Sequence, residues 1–248
     1  MTPEACLAKA GGFCSYDNDV FRIVETQERA ATLTLVDDLN EQSLLEDIID
    51  GYKPPNRDGY DSYHYLIATP FRYPPLKEGS RFGTRAEHSF YYASEDVETC
   101  LAEAAYYRFV LFDGMETPYQ DKVVSEHQYF SVRAQTTNAV DLARITDKDM
   151  QSILTSKLDY NATQKVGAWL RNQGAELIRF QSARTKQGVN VAIDNIDVIV
   201  SPAPENMTNV LCETHAVEGT VRFSIPQRFP ILFRIEDFLV NGALPSPA

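Results

Sequence analysis

Apolar positions along the chain change period several times, and each change marks an element. From Thr26 to Tyr52, Leu35, Leu39, Leu44, Leu45, Ile48 and Ile49 recur at three-, four- and five-residue steps with acids between them. That spacing predicts one or two amphipathic helices, stopped by Lys53-Pro54-Pro55. Residues 1–20 are polar and carry Gly11-Gly12, which reads as loose structure at the start. His64 to Thr69 is rich in β-formers and ends at Pro70, predicting a strand that delivers Arg72 and Tyr73 to its tip. Ser89–Ala93 is a second predicted strand. Ser94 then offers an N-cap, Glu95 and Asp96 suit a first helical turn, and Val97, Cys100, Leu101, Ala104, Ala105 and Arg108 trace a helix to about Phe109. Glu103 lies two turns into that mostly apolar helix.

After Asp113-Gly114 the alternation from Tyr129 to Ala134 predicts a strand, and Asp147–Leu154 a short helix. Asn161 can cap a helix over 162–173, with Val166, Trp169 and Leu170 as its buried stripe and Gly174 at its C-terminal end. Glu176–Phe180 and Asn190–Ile193 flank a polar turn from Ser182 to Gly188, Thr220–Ser224 is a late strand, and 242–248 reads as frayed. Without a regular βαβ rhythm or an internal repeat, the class is α+β with mixed sheets and flanking helices. The expected division is a helical N-terminal extension over 1–60 and a larger unit over 61–248.

Composition narrows the partners. The chain has 248 residues, 44% of them hydrophobic, which suffices for a sizeable core. A net charge of −12 and a pI near 4.8 argue against direct nucleic-acid binding, which relies on a basic surface. Cys6, Cys14, Cys100 and Cys212 show no CxxC spacing, and His64, His88, His127 and His215 are scattered, so neither a metal nor a disulfide framework is expected. No stretch approaches the ~20 apolar residues of a membrane helix, and a cytoplasmic, reducing compartment is expected.

Against that acidic background, residues 72–85 hold Arg72, Lys77, Arg81 and Arg85 with one acid, Glu78. A local positive field of this kind suits an anionic ligand, and two arginine forks suit a pyrophosphate; pairing with surface carboxylates is the plainer alternative. Glu103 could stabilise positive charge on a sugar or could simply form an ion pair on a helix flank. Tyr73, Tyr91 and Tyr92 offer faces for a planar ring, or for core packing. Ser182 reads as a hydrogen-bonding ligand contact or a turn residue. The acids between 25 and 50 could face a basic partner or only solvent. GxGxxG, Walker A and GxSxG motifs are absent.

These residues resemble the RES-domain proteins, toxins of bacterial toxin–antitoxin pairs named for an Arg, a Glu and a Ser. The likeness runs through Phe71-Arg72-Tyr73, Arg81-Phe82-Gly83-Thr84-Arg85, Tyr91-Tyr92-Ala93, Thr99-Cys-Leu-Ala-Glu103, Phe180-Gln-Ser182-Ala-Arg184 and Gly188-Val-Asn190. The stretch Thr69-Pro70-Phe71-Arg72-Tyr73-Pro74-Pro75, with Val24-Glu25-Thr26-Gln27 and Leu35-Val36-Asp37 before it, is similar to the ParT-like branch. The resemblance implies an ADP-ribosyltransferase-like fold, a RES-like catalytic domain over 61–248 and cleavage of the nicotinamide–ribose bond of NAD as substrate. It makes Glu103 the catalytic carboxylate and Arg72 the phosphate anchor. Tyr73 and Tyr91 become ring contacts, Arg85 a further NAD contact and Ser182 a nicotinamide-side contact. It also implies a cognate helix-turn-helix antitoxin. The acceptor of ADP-ribose is a protein in the ParT-like reading, or phosphate or water in an NAD-depleting phosphorylase or glycohydrolase. A phosphorolytic enzyme would need an enclosed anion site, for which Arg184 is the candidate. A non-catalytic nucleotide-binding or interaction module stays open beside both.

Overall fold

The structure is a computed structural model that describes residues 1–26, 36–73, 75, 77–117 and 119–245. The first helix, α1 (Pro3–Ala10), is capped by Thr2 and closed by Gly11 in the left-handed region at φ 86°. It leads into a long strand, β1 (Phe13–Glu25), which runs antiparallel to β3 (Val123–Asp141) from Phe13 opposite Val140 to Glu25 opposite His127. The loose start expected for 1–20 is therefore corrected. Tyr16 and Val20 point into the core every fourth residue, and ion pairs from Asp17 and Asp19 to Arg133 zip the polar residues across the ladder.

The same ladder corrects the division at residue 60. The segment 1–60 contributes a strand to the central sheet, and of its expected helices α2 (Leu39–Tyr52) is described while 27–35 lies outside the described residues.

Eight strands form one mixed sheet in the order β1-β2-β5-β4-β3-β6-β7-β8, and the additional β1–β3 pairing closes the first five on themselves. The remaining strands are β2 (Tyr91–Ser94), β4 (Leu177–Gln181), β5 (Val189–Ile193), β6 (Glu205–His215), β7 (Thr220–Ser224) and β8 (Ile231–Arg234). Among the described strands, only β3 and β4 pair in parallel. The architecture is α+β, as the absence of a βαβ rhythm predicts.

The expected strand over 64–69 is a helix, α3 (Tyr65–Arg72). His64 accepts from the Leu66 N–H at its start, and Ile67, Ala68 and Phe71 recur at helical spacing on the buried side. Burial of that stripe outweighs the β-propensity of the residues and the helix-breaking tendency of Pro70. The N-cap of α4 (Val97–Asp113) is Asp96 rather than Ser94, because β2 continues through Ser94 and the Asp96 carboxylate receives both the backbone N–H and the hydroxyl of Thr99 at 2.7 Å. On α4, Leu101, Ala105, Tyr106 and Phe109 pack against β6 and β7. The last helices are α5 (Lys148–Leu154), capped by Asp147 as the sequence suggests, and α6 (Asn161–Asn172), where Tyr160 rather than Asn161 takes the cap position.

Candidate active site

The ring of strands is weakest between β1 and β2, which share a single register pair, Phe21 opposite Ser94. A cavity of about 420 Å³ opens along this seam, between Phe21–Ile23 on one side and Tyr92–Ser94 on the other. Its size falls in the range of small-molecule sites. One cross-strand row supplies much of its floor: Phe21 pairs with Ser94, Ser94 with Asn190, and Asn190 with Phe180. The loop at 79–81, Tyr107 and Ala104 of α4, Tyr160 and Arg184 complete the walls.

Glu103 enters this cavity from α4. Its Oε1 accepts two hydrogen bonds of 2.7 Å, from the Ser182 hydroxyl and from Asn190 Nδ2. Asn190 Oδ1 in turn accepts from the Ser94 hydroxyl at 2.7 Å, and Ser182 Oγ accepts from the Arg184 backbone N–H at 3.0 Å. The hairpin turn between β4 and β5 places all three partners. Ser182 N–H donates to the Gly188 carbonyl at 2.8 Å, and Gly188 packs so tightly on Thr99 and Thr185 that a Cβ there would overlap both side chains. The second carboxylate oxygen, Oε2, has Arg184 Nε at 4.0 Å, beyond hydrogen-bonding distance. The Glu103 side chain is 29% exposed, so the carboxylate is anchored on one side and open on the other.

Glu103 and Ser182 are thus brought together, with Ser182 buried behind the carboxylate rather than lining the cavity. The other residues that the sequence singled out lie elsewhere. Tyr91 is fully buried, stacked on Phe71 at 5.8 Å, its hydroxyl without a partner; adjacent strand residues face opposite ways, and Tyr92 faces the cavity instead. Tyr92 donates to Ser80 Oγ at 2.9 Å and accepts from the Phe82 N–H at 3.1 Å, and burial pushes its phenol up to about 12, so it remains a neutral donor. Arg72 and Tyr73 are at the end of α3, outside the cavity lining, where Arg72 donates to the Pro54 carbonyl and Tyr73 is exposed. Arg85 is exposed on a turn. Lys77 is exposed but does not line the cavity.

The positive cluster of 72–85 therefore splits up, and the arginines lining the cavity are Arg22, Arg81 and Arg184. Arg81 donates to the carbonyls of Leu154 and Ser156 at 2.9 Å and lies over the Tyr160 ring. Arg184 has a side chain only 2% exposed, lies 3.4 Å over the Tyr106 ring and has one unpartnered buried nitrogen. Arg22 went unremarked in the sequence because β1 was unrecognised; as a strand, Val20-x-Arg22-x-Val24 puts one charge in an inward apolar row. Cys100 also lines the cavity, but burial holds its thiol at about 12, too high for a nucleophile at neutral pH.

A family model described as the RES domain matches residues 57–206, more than half of the chain. This protein belongs to the RES domain family. That match spans Glu103, Ser182 and Asn190 and leaves β1 outside. No curated protein matches the chain in sequence. Among solved structures, a chain of the M. tuberculosis MbcT–MbcA toxin–antitoxin complex is similar at 9% identity, with a TM-score of 0.44 over 93% of each chain. Among the described residues of this RES protein, no helix is long and apolar enough to cross a membrane.

Proposed function

We propose that this RES protein is the toxin of a toxin–antitoxin pair, an enzyme that cleaves the nicotinamide–ribose bond of NAD and transfers ADP-ribose to a protein acceptor. The observation that carries this reading is the Glu103 carboxylate, gripped on Oε1 by two neutral donors at 2.7 Å while Oε2 stays unbonded at the cavity. Nicotinamide leaves with the bonding pair and becomes neutral, so no proton need be supplied; positive charge builds on the ribose carbon. A fixed carboxylate beside that carbon stabilises it, and the acceptor then adds to the opposite face and sheds its proton to water. Glu103 is the catalytic residue in this account. Ser182 and Asn190 hold it, and the Tyr92 and Tyr107 rings supply walls for the nicotinamide. Of the further NAD contacts that the family resemblance implies, Arg72 and Tyr73 stand at the end of α3, Arg85 on an exposed turn and Tyr91 in the core, none of them in the cavity lining.

No metal enters the chemistry. The partner that fits is a helix-turn-helix antitoxin, with basic side chains to meet the acids of residues 37–50. A cytoplasmic setting would keep the four free cysteines reduced.

One feature favours a second reading, an NAD phosphorylase. Arg184 holds a buried, unpartnered nitrogen beside Glu103, where an inorganic phosphate acceptor could bind. Labelled NAD incubated with the protein and a cell lysate, with and without phosphate, separates the two. Label on a discrete protein band supports transfer to protein; label only in free ADP-ribose or its phosphate ester supports the second reading, and intact NAD throughout refutes both.

A further inference from the structure

The two donors that grip Glu103 are themselves held from behind, Ser182 Oγ by the Arg184 N–H and Asn190 by strand β2. Residues alternate along that strand: Tyr91 and Ala93 belong to the core, while Tyr92 and Ser94 face the other way and line the cavity. Ser94 stands directly across from Asn190 in the sheet, with Phe21 of β1 on its other side. Both polar residues are buried, Ser94 at 3% and Asn190 at 6% exposure. The Ser94 hydroxyl donates to Asn190 Oδ1 at 2.7 Å, and among the described residues no other group donates to that oxygen. At the other end of the amide, Nδ2 donates to Glu103 Oε1, also at 2.7 Å.

A terminal amide turns about a broad torsion, so a hydrogen bond at one end leaves its plane free and a bond at each end fixes it. A carboxylate oxygen only accepts, so Nδ2 has to face Glu103 and Oδ1 has to face away, into a buried corner where it needs a donor. An alanine at 94 would fill the strand position but leave that acceptor unmet and the amide anchored at one end. The hydroxyl also polarises the amide, because a donor on Oδ1 draws charge toward the oxygen and makes Nδ2 the stronger donor. We propose that Ser94 is a positioning residue for the reaction: through Asn190 it fixes the aim of the Glu103 carboxylate. This inference rests on Glu103 as the carboxylate that acts on the ribose of NAD. It extends the grip on that carboxylate to β2, so that a strand, a hairpin turn and a helix together set the direction of one charge.

Nicotinamide release from NAD is followed for the full chain, Ser94→Ala, Asn190→Ala and the double variant, with a thermal melt for each. Ser94→Ala should lower kcat about 3- to 10-fold and leave KM within about 2-fold of the parent. The double variant should be no slower than Asn190→Ala alone, since Ser94 then has nothing left to hold. Ser94→Cys, which keeps a side chain of similar size with a weaker donor, should lose kcat in the same direction, and it carries the test if the alanine variant folds poorly. Losses that multiply in the double variant would make Ser94 an independent contact or a packing residue of the β1–β2 seam, and a parent-like kcat in Ser94→Ala would remove it from the site; either overturns the proposal. If the parent releases no nicotinamide, the NAD reading fails, and the side-chain amide of Asn190 then judges Ser94 alone. Its protons, assigned in proton–nitrogen correlation spectra by their loss in Asn190→Ala, should exchange with water faster in Ser94→Ala than in the parent. Equal exchange in the two proteins overturns the proposal.

Discussion

Two carboxylates of this protein, Glu95 and Glu103, lie eight residues apart on either side of the start of α4 and live in opposite electrostatic company. Glu95 is locked to Arg179 by two hydrogen bonds of 2.7 Å and also accepts from the Tyr16 hydroxyl at 3.0 Å, while Asp141 takes the remaining Arg179 nitrogen at 3.1 Å. The Glu95 hydrogen bonds hold the Arg179 guanidinium above even its usual range. Charge is cancelled there, and little is left to act on a ligand. Glu103 is held just as firmly, but by a serine and an asparagine, while the Arg184 guanidinium stands 4.0 Å from Oε2 without a hydrogen bond, so its position is fixed and its charge is met only in part. The difference teaches what distinguishes an acid that staples a sheet from one that can face a developing cation: the grip must come from neutral donors.

The largest way to break the comparison is Arg179→Met. It strands Glu95 without its cation, leaves Asp141 with Arg144 alone, and should cost about 3–5 kcal/mol of stability, read as a lowered denaturation midpoint, with kcat of the folded fraction preserved. Gly188→Ala comes next: the added methyl meets Thr99 and Thr185, so the turn must shift, and about 1–3 kcal/mol of stability should go together with much of the activity. Asn190→Ala removes one of the two donors on Glu103 and should lower kcat about 10-fold with little change in KM, since it alters aim rather than binding; an unchanged kcat would deny that the grip matters. The smallest effect concerns His127, whose ring is buried on β3 between Ser125 and Phe223, so burial lowers its pKa. Protonation therefore opposes folding, and its stabilising contribution is present above about pH 6.5 and fades as pH falls below that value. His127→Gln should flatten this part of the stability–pH curve, by less than about 1 kcal/mol at pH 5.

Much of this site was legible in the chain. Glu103 stood out as an acid inside an apolar helical stripe, and Asn190 and Ser182 framed a polar turn between two short strands. The helices α5 and α6 and the strand β7 followed from spacing and caps. The rest failed for identifiable reasons. The 13-residue strand β1 was hidden by Asp17, Asn18 and Asp19, whose partners on β3 are more than a hundred residues away. With β1 unseen, Arg22 could not be placed. The sequence 64–72 carries strand-forming residues at helical spacing, and the choice went to burial of Ile67 and Phe71. Charge counting over 72–85 grouped arginines that the fold sends in different directions, because a local excess of charge does not say where each side chain points.

The central claim is that Glu103 acts on the bound dinucleotide through a carboxylate charge that no hydrogen-bonded cation cancels. The most direct measurement is nicotinamide release at saturating NAD by the parent and by Glu103→Gln, paired with their melting temperatures. The account predicts a fall of about 10²–10³ in kcat, with a melting temperature close to the parent's because glutamine can accept the same two hydrogen bonds. A Glu103→Gln protein as active as the parent would contradict it.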